Sequence, residues 1–194
     1  MVTKIRYGNT NTFFIRGSKK NLLVDTDYAG TLPLFYKAIK ENGITAKEID
    51  YVLATHYHPD HMGLISELMA QGVNLLLAEP QVRFVHGSDA IFAKEPQLGY
   101  KPIDDTSAVI LSPDKSRAFF ESLGIKGEII CTPSHSKDSI SVVLDGGICL
   151  AGDLEPYEYL GAYEDNKALN DDWNRVMSYS PGIVYYAHAN EKYF

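Results

Sequence analysis

The chain has 194 residues, 45% of them hydrophobic and 22% charged, with a formal net charge of −7. That length fits a single domain over 1–194 with enough apolar content to bury a core, and the composition excludes a disordered or low-complexity chain. The acidic balance argues against a nucleic-acid partner, because phosphate binding draws on a basic face to release counterions, so a small-molecule substrate is the expected partner.

In chain order, runs rich in β-branched or aromatic residues at 3–7, 12–16 and 21–25 read as strands separated by Gly or Asn. The spacing of Leu34, Phe35, Ala38 and Ile39 predicts a helix over 32–42, with Gly43 just past its end. A short apolar strand at 49–54 precedes a histidine-rich string, and 60–71 reads as the next helix, closed by Gly72. A strand is expected at 73–78 and a short helix at 79–86, while the mixed stretch 87–106 reads as an irregular surface loop. After a strand at 108–111, Ser112 is placed to cap, and Pro113 to open, a helix that Gly124 stops after Leu123. Strands at 128–131, 139–144 and 148–151, a helix at 165–178 and a last strand at 183–187 complete the pattern. A strand-rich first third followed by strand–helix alternation predicts an α/β layered fold with a mixed sheet.

The N-terminal stretch lacks an apolar h-region and a small-residue cleavage site, and no run approaches the ~18 apolar residues of a spanning helix. A cytoplasmic protein without membrane contact is therefore expected. Cys131 and Cys149 match no CxxC spacing and sit in apolar runs, the usual setting of buried free thiols.

Chemistry concentrates in Thr55-His56-Tyr57-His58-Pro59-Asp60-His61, between a predicted buried strand and a predicted helix. Residues two apart in an extended segment point the same way, so His56 and His58 can reach one metal ion. Asp60 and His61 then turn into the helix and can address a second. Imidazole nitrogen and carboxylate oxygen suit zinc and also admit iron or manganese. Three further candidates follow apolar strands: His135 in Pro133-Ser134-His135, Asp153 in Gly152-Asp153, and His188 in Tyr186-Ala187-His188. Each alone is a weak signal. Together with the string they take five of the protein's six histidines, and converging strand ends are where open α/β folds place their sites.

This order, HxHxDH, then a histidine in a Pro-x-His turn, then Gly-Asp, then a terminal histidine, resembles the metallo-β-lactamase superfamily, which includes glyoxalase II and lactonases. The resemblance covers nearly the whole chain and extends to Leu22-Leu23-Val24-Asp25-Thr26, which is similar to the family's early strand ending in an aspartate. It implies a four-layer αββα sandwich, two mixed sheets flanked by helices, with metals at one edge. It also implies that His56, His58 and His135 hold a first divalent ion and that Asp60, His61 and His188 hold a second. Asp153 would bridge them, and Asp60 and Asp153 would be the catalytic carboxylates. Two ions about 3.5–4 Å apart, zinc or else manganese or iron, would lower the pKa of a shared water from 15.7 toward about 7. The implied activity is hydrolysis of a small ester, thioester, lactone or related substrate by the hydroxide so formed. A mononuclear-iron sulfur dioxygenase on the same fold and a non-catalytic metal-binding domain are the alternatives.

The chain also departs from the family pattern. The usual glycine-bearing third motif is here Ser134-His135-Ser136-Lys137-Asp138-Ser139, and the usual Asp-x-Gly is Asp25-Thr26-Asp27. Asp25 fits two roles, orienting a ligand histidine or shaping a turn. Ser134, Ser136 and Ser139 read as turn residues, and Lys137 as a solvated lysine with an anion-contacting alternative. His86 reads as a helix-end residue and Trp173 as core. Tyr157 and Tyr159, just past the expected bridging aspartate, are packing residues by default that could also face a substrate. The short run after His188 lacks the added helical region of glyoxalase II, which weighs against a glutathione thioester.

Overall fold

The computed structural model describes residues 1–163 and 165–194. Strands β1 (Val2–Arg6), β2 (Asn11–Ile15), β3 (Leu22–Val24), β4 (Tyr51–Leu53), β5 (Asn74–Ala78) and β6 (Val109–Leu111) form one sheet in that order. The second sheet runs β11 (Lys192–Tyr193), β10 (Ile183–Tyr185), β9 (Ile148–Leu150), β8 (Ile140–Leu144), β7 (Gly127–Cys131). Both are mixed: β1–β2–β3 pair antiparallel and β3–β4–β5–β6 parallel, while β9–β10 is the parallel pair of the second sheet.

The layering follows from strands that are apolar on both faces, the pattern of sheets covered on each side. Phe13, Leu22, Leu53 and Leu76 point between the sheets, where they meet Ile129, Ile140, Val142 and Leu150. Their neighbours Phe14, Leu23, Val52, Leu75 and Leu77 point the other way, onto Phe35 and Ile39 of α1 (Leu32–Glu41). The same cluster takes in His61-containing α2 (Pro59–Met62) through Met62, and α3 (Ile65–Met69) through Ile65 and Leu68. Two further helices are the single turn α4 (Asp89–Phe92) and α5 (Pro113–Leu123), whose Phe120 and Leu123 close the inter-sheet core. On the outer face of the second sheet, Ile130, Val143, Cys149 and Val184 pack against Leu169, Trp173 and Val176 of α6 (Lys167–Met177). Each fully buried aliphatic or aromatic side chain contributes roughly 1.5–3 kcal/mol. The result is the expected αββα arrangement. No helix among the described residues is long and apolar enough to cross a membrane.

Several local expectations are corrected. The helix expected at 60–71 is two short helices broken at Gly63-Leu64. The Thr26 backbone N–H donates to the His61 carbonyl at 3.0 Å, and the Leu64 N–H donates to Thr26 Oγ1 at 3.2 Å. Tertiary partners thus replace the helical ladder. A Cβ on Gly63 would lie 2.3 Å from Ala29 N, so the chain can pass only as glycine. The helix expected at 79–86 is one 3₁₀ turn, Glu79–Gln81, followed by turns. The stretch 87–106 is not wholly irregular, because it holds α4 and 3₁₀ turns at Pro96–Leu98 and Asp105–Ser107. Ser112 stands before α5 but makes no side-chain capping bond, whereas Gly124 ends that helix with a left-handed φ of 78°. Cys149 is buried, but Cys131 only half so. Trp173 is core, as expected, with Nε1 donating to the Glu155 carbonyl at 3.0 Å.

Candidate metal centre

Strand direction places the site. In the first sheet β3 and β4 run parallel, so Asp25 and the His56–His61 string emerge at one edge. In the second, β7 and β9 both run antiparallel to β8, and β10 runs parallel to β9. The loops after β7, β9 and β10 therefore leave from a common edge, carrying His135, Asp153 and His188. Two backbone bonds stitch the edges together: Ile140 N–H to the Thr55 carbonyl at 2.9 Å, and Asn11 N–H to the Ala187 carbonyl at 2.8 Å.

All seven side chains singled out in the sequence are brought together there, in two groups. His56, His58, His135 and Asp153 form the first, and Asp60, His61 and His188 the second, with donor atoms within 4.8 Å of one another in each. Nitrogen faces nitrogen: His135 Nε2 lies 3.1 Å from His58 Nδ1, and His188 Nε2 lies 3.3 Å from His61 Nε2. Asp153 stands between the groups. Its Oδ1 is 3.3 Å from both His61 Nε2 and His188 Nε2. Its Oδ2 is 3.5 Å from His135 Nε2 and 3.7 Å from His56 Nε2. Gly152 makes that placement possible: its φ is +57°, and a Cβ there would meet Thr55 Oγ1 at 2.6 Å.

The donor set fits divalent cations. His56 Nε2 and Asp153 Oδ1 are buried with no hydrogen-bond partner, a costly state for polar atoms unless a ligand satisfies them. Imidazole nitrogens converging on a carboxylate form a set suited to zinc, manganese or iron. At His56 and His135 the electrostatics point the same way, whereas at His61 they hold a proton that an ion would have to displace. Burial, and then the neighbouring His61, push His56 well below the usual histidine range, so it stays neutral and able to ligate. Burial also lowers His135. Burial would pull His61 down, but the carboxylates of Asp25 and Asp153 outweigh it and lift it to about 10. Burial opposes the charge of Asp153 too, yet His61, His56 and His188 hold it well below the usual carboxylate range. The hydrogen bond between Asp60 and His188 lowers the first and raises the second.

The surrounding shell was only partly visible in the sequence. Asp25 serves both roles open to it: its φ is +59°, and its fully buried carboxylate accepts from Thr55 N–H at 2.6 Å and Thr55 Oγ1 at 2.9 Å. It also faces His61 Nδ1 at 3.2 Å. Asp27, standing where the family has glycine, accepts from the N–H groups of Asn9 at 2.6 Å and Tyr28 at 2.6 Å, and the Asn9 carbonyl meets His188 Nδ1 at 3.1 Å. Sequence reasoning missed Asp138, whose buried carboxylate accepts from Tyr57 N–H at 2.7 Å and Ser136 Oγ at 2.8 Å, tying the His135 loop to the His56 string. It also missed Asp172, which accepts from Ser134 N–H at 2.7 Å. A signal for Asp172 existed: it interrupts the Leu169-Trp173-Val176 apolar stripe at helical spacing yet is buried.

Other candidates fall outside the cluster. His86 is exposed and faces Asp89 at 3.0 Å. Lys137 is exposed. Tyr157 packs edge-on against Trp173 and Phe194, whereas Tyr159 is 55% exposed on a cavity shared with His188. Ser136 and Ser139 bond to each other across the turn at 2.7 Å.

Known proteins share this plan. A protein from the archaeon Methanocaldococcus jannaschii described as a probable metallo-hydrolase is 28% identical over 157 residues, covering 79% of this chain and 71% of that protein. The lactamase-like protein nscB of the fungus Arthroderma benhamiae is 32% identical over 137 residues, and the match spans 70% of this chain but only 26% of the fungal protein. Among solved structures, TTHA1623 in a di-iron-bound form superposes with a TM-score of 0.72 at 20% identity, over 100% of this chain and 94% of that one. The family model for the metallo-beta-lactamase superfamily matches residues 5–188, which takes in every side chain of the two groups, and the chain therefore belongs to that superfamily.

Proposed function

We propose that the protein is a hydrolase that uses two divalent ions, zinc foremost with manganese or iron as competent substitutes, to cleave a small ester, thioester or lactone in the manner of glyoxalase II and the lactonases. The observation that carries this reading is Asp153, whose two oxygens face two different histidine groups. A mononuclear centre would leave Asp60, His61 and His188 converging with nothing to bind. The metallo-hydrolase name of the archaeal relative supports the same class, and TTHA1623, described in a di-iron-bound form, shows that this fold can hold two ions.

Ions held there would supply Lewis acidity toward a substrate oxygen and water that ionises near pH 7. The chain's own groups prepare the site for them. Asp25 accepts from His61 Nδ1–H, which leaves Nε2, the nitrogen facing Asp153 and His188, as the one that would bind an ion. His188 keeps Asp60 ionised, which leaves a carboxylate acceptor beside the cleft. Thr55 fixes Asp25 from beneath with both of its donors.

The test is metal content together with turnover. The reading expects two metal ions per chain and ester or thioester hydrolysis under anaerobic conditions. A chelator should abolish that activity, and zinc, manganese or cobalt should restore it. One iron per chain with strict dependence on oxygen would establish the dioxygenase alternative and overturn this proposal.

A further inference from the structure

A cavity of about 700 Å³ opens beside the metal centre, a size typical of small-molecule sites. Lys4 and Arg6 of β1 and Asn11 of β2 wall it, with Glu158, Tyr159, His188 and Glu191. His188 also walls the cleft that holds His135 and Asp153, so the two spaces meet at that residue.

The charges on this wall are paired, with one exception. Lys4 pairs with Glu191, and Glu158 with Lys192 at 2.9 Å. Arg6 forms no ion pair among the described residues. Its one hydrogen-bond partner is Asn11, whose Oδ1 accepts from Arg6 Nη1 at 3.2 Å. Asn11 is buried, and its Nδ2 donates to the Tyr186 carbonyl at 2.8 Å and the Ala189 carbonyl at 3.4 Å. Those two acceptors fix the amide orientation and leave Oδ1 directed at Arg6. A buried amide thus steadies an exposed guanidinium on the cavity wall, with further N–H donors of the fork uncommitted.

We propose that Arg6 is the specificity-determining residue of the cleft and receives an anionic group, a carboxylate or a phosphate monoester, carried by the substrate away from the bond that is cleaved. The inference rests on the hydrolase reading above and adds the substrate class to it. A guanidinium suits either oxyanion through paired N–H donors. The net charge of −7 sharpens the argument: the general field of the protein repels anions, so an unpaired cation beside the centre selects for one.

The experiment compares three p-nitrophenyl esters that differ only in whether the acyl chain ends in a methyl, a carboxylate or a phosphate monoester. Arg6→Gln should raise the KM of the preferred charged ester relative to the methyl ester by roughly 10- to 100-fold, the scale of a charge-assisted hydrogen bond. Arg6→Lys should restore part of that ratio, and which charged ester responds identifies the anion. An unchanged ratio overturns the proposal. A second measurement does not depend on turnover: the Arg6 Nε–H resonance is followed by NMR as monomethyl succinate or methyl phosphate is added to the purified protein supplied with zinc. A saturable shift supports the assignment even if no ester is hydrolysed, in which case the hydrolase reading alone fails. Hydrolysis without any Arg6 response sinks this inference and leaves that reading standing.

Discussion

Replacing Asp25 by Asn separates its two roles. Asn tolerates the left-handed φ of +59° as well as Asp does, so the backbone is spared and only the charge changes. The new amide can still accept from Thr55 N–H through its oxygen, but then presents NH₂ toward His61 Nδ1, 3.2 Å away. His61 must answer as an acceptor there, which moves its proton to Nε2, the nitrogen that faces Asp153 and His188. Metal binding at the second group should weaken by about 10- to 100-fold, the usual effect of losing such a partner. In the metal-free protein Asp25 and His61 form a fully buried charged pair. Breaking a pair of that kind costs roughly 3–5 kcal/mol. At about 2–4 °C per kcal/mol for a chain of this size, the metal-free melting temperature should fall by roughly 6–20 °C. The assays are competitive zinc titration against a chromophoric chelator and thermal unfolding with and without metal. Zinc affinity within twofold of the parent, with an unchanged melting temperature, would reduce Asp25 to a turn residue and refute the reasoning.

Further expectations follow from the same geometry. Asp153→Ala should abolish turnover and lower metal occupancy at both groups, whereas His86→Ala should leave both unchanged; elemental analysis and ester kinetics on the two variants decide it. Gly152→Ala forces a non-glycine residue to φ +57° against Thr55, a strain of about 1–3 kcal/mol that calorimetry should register together with reduced metal stoichiometry. Because His61 is lifted from 6.5 to about 10 in the metal-free protein, its stabilising contribution is complete below about pH 6.5 and is lost as pH rises through about 10. Metal binding at pH 8 should therefore expel a proton, and calorimetry in buffers of differing ionisation enthalpy that shows no proton release would contradict that assignment.

Much of the site was legible because its side chains follow apolar strands. His56, His135, Asp153 and His188 each come at a point where a buried run stops, so strand detection and ligand detection were one act. The break at Gly63 was hidden because its causes, Ala29 and Thr26, lie far back in the chain and come near only when β3 and α2 meet. β11 escaped because two residues carry no periodicity. Asp138 lies three residues past His135 and reads as a turn former; its bond to Tyr57 N–H spans 81 residues, beyond the reach of any local pattern.

The assembly of one centre from loops of both sheets has a consequence for stability. Neither sheet alone holds a complete set of donors, so an ion would bind well only when the sheets are docked, and free metal concentration would become a stability variable. By mass action, a single ion at a thousandfold excess over its dissociation constant adds about 4.1 kcal/mol to unfolding, provided the unfolded chain does not bind it. The His56–His61 string lies within six residues and can capture metal in the unfolded chain, which would trim that gain at both groups, since each draws two donors from the string. With ions held in this way, the melting temperature would follow free metal as well as the packing of the core.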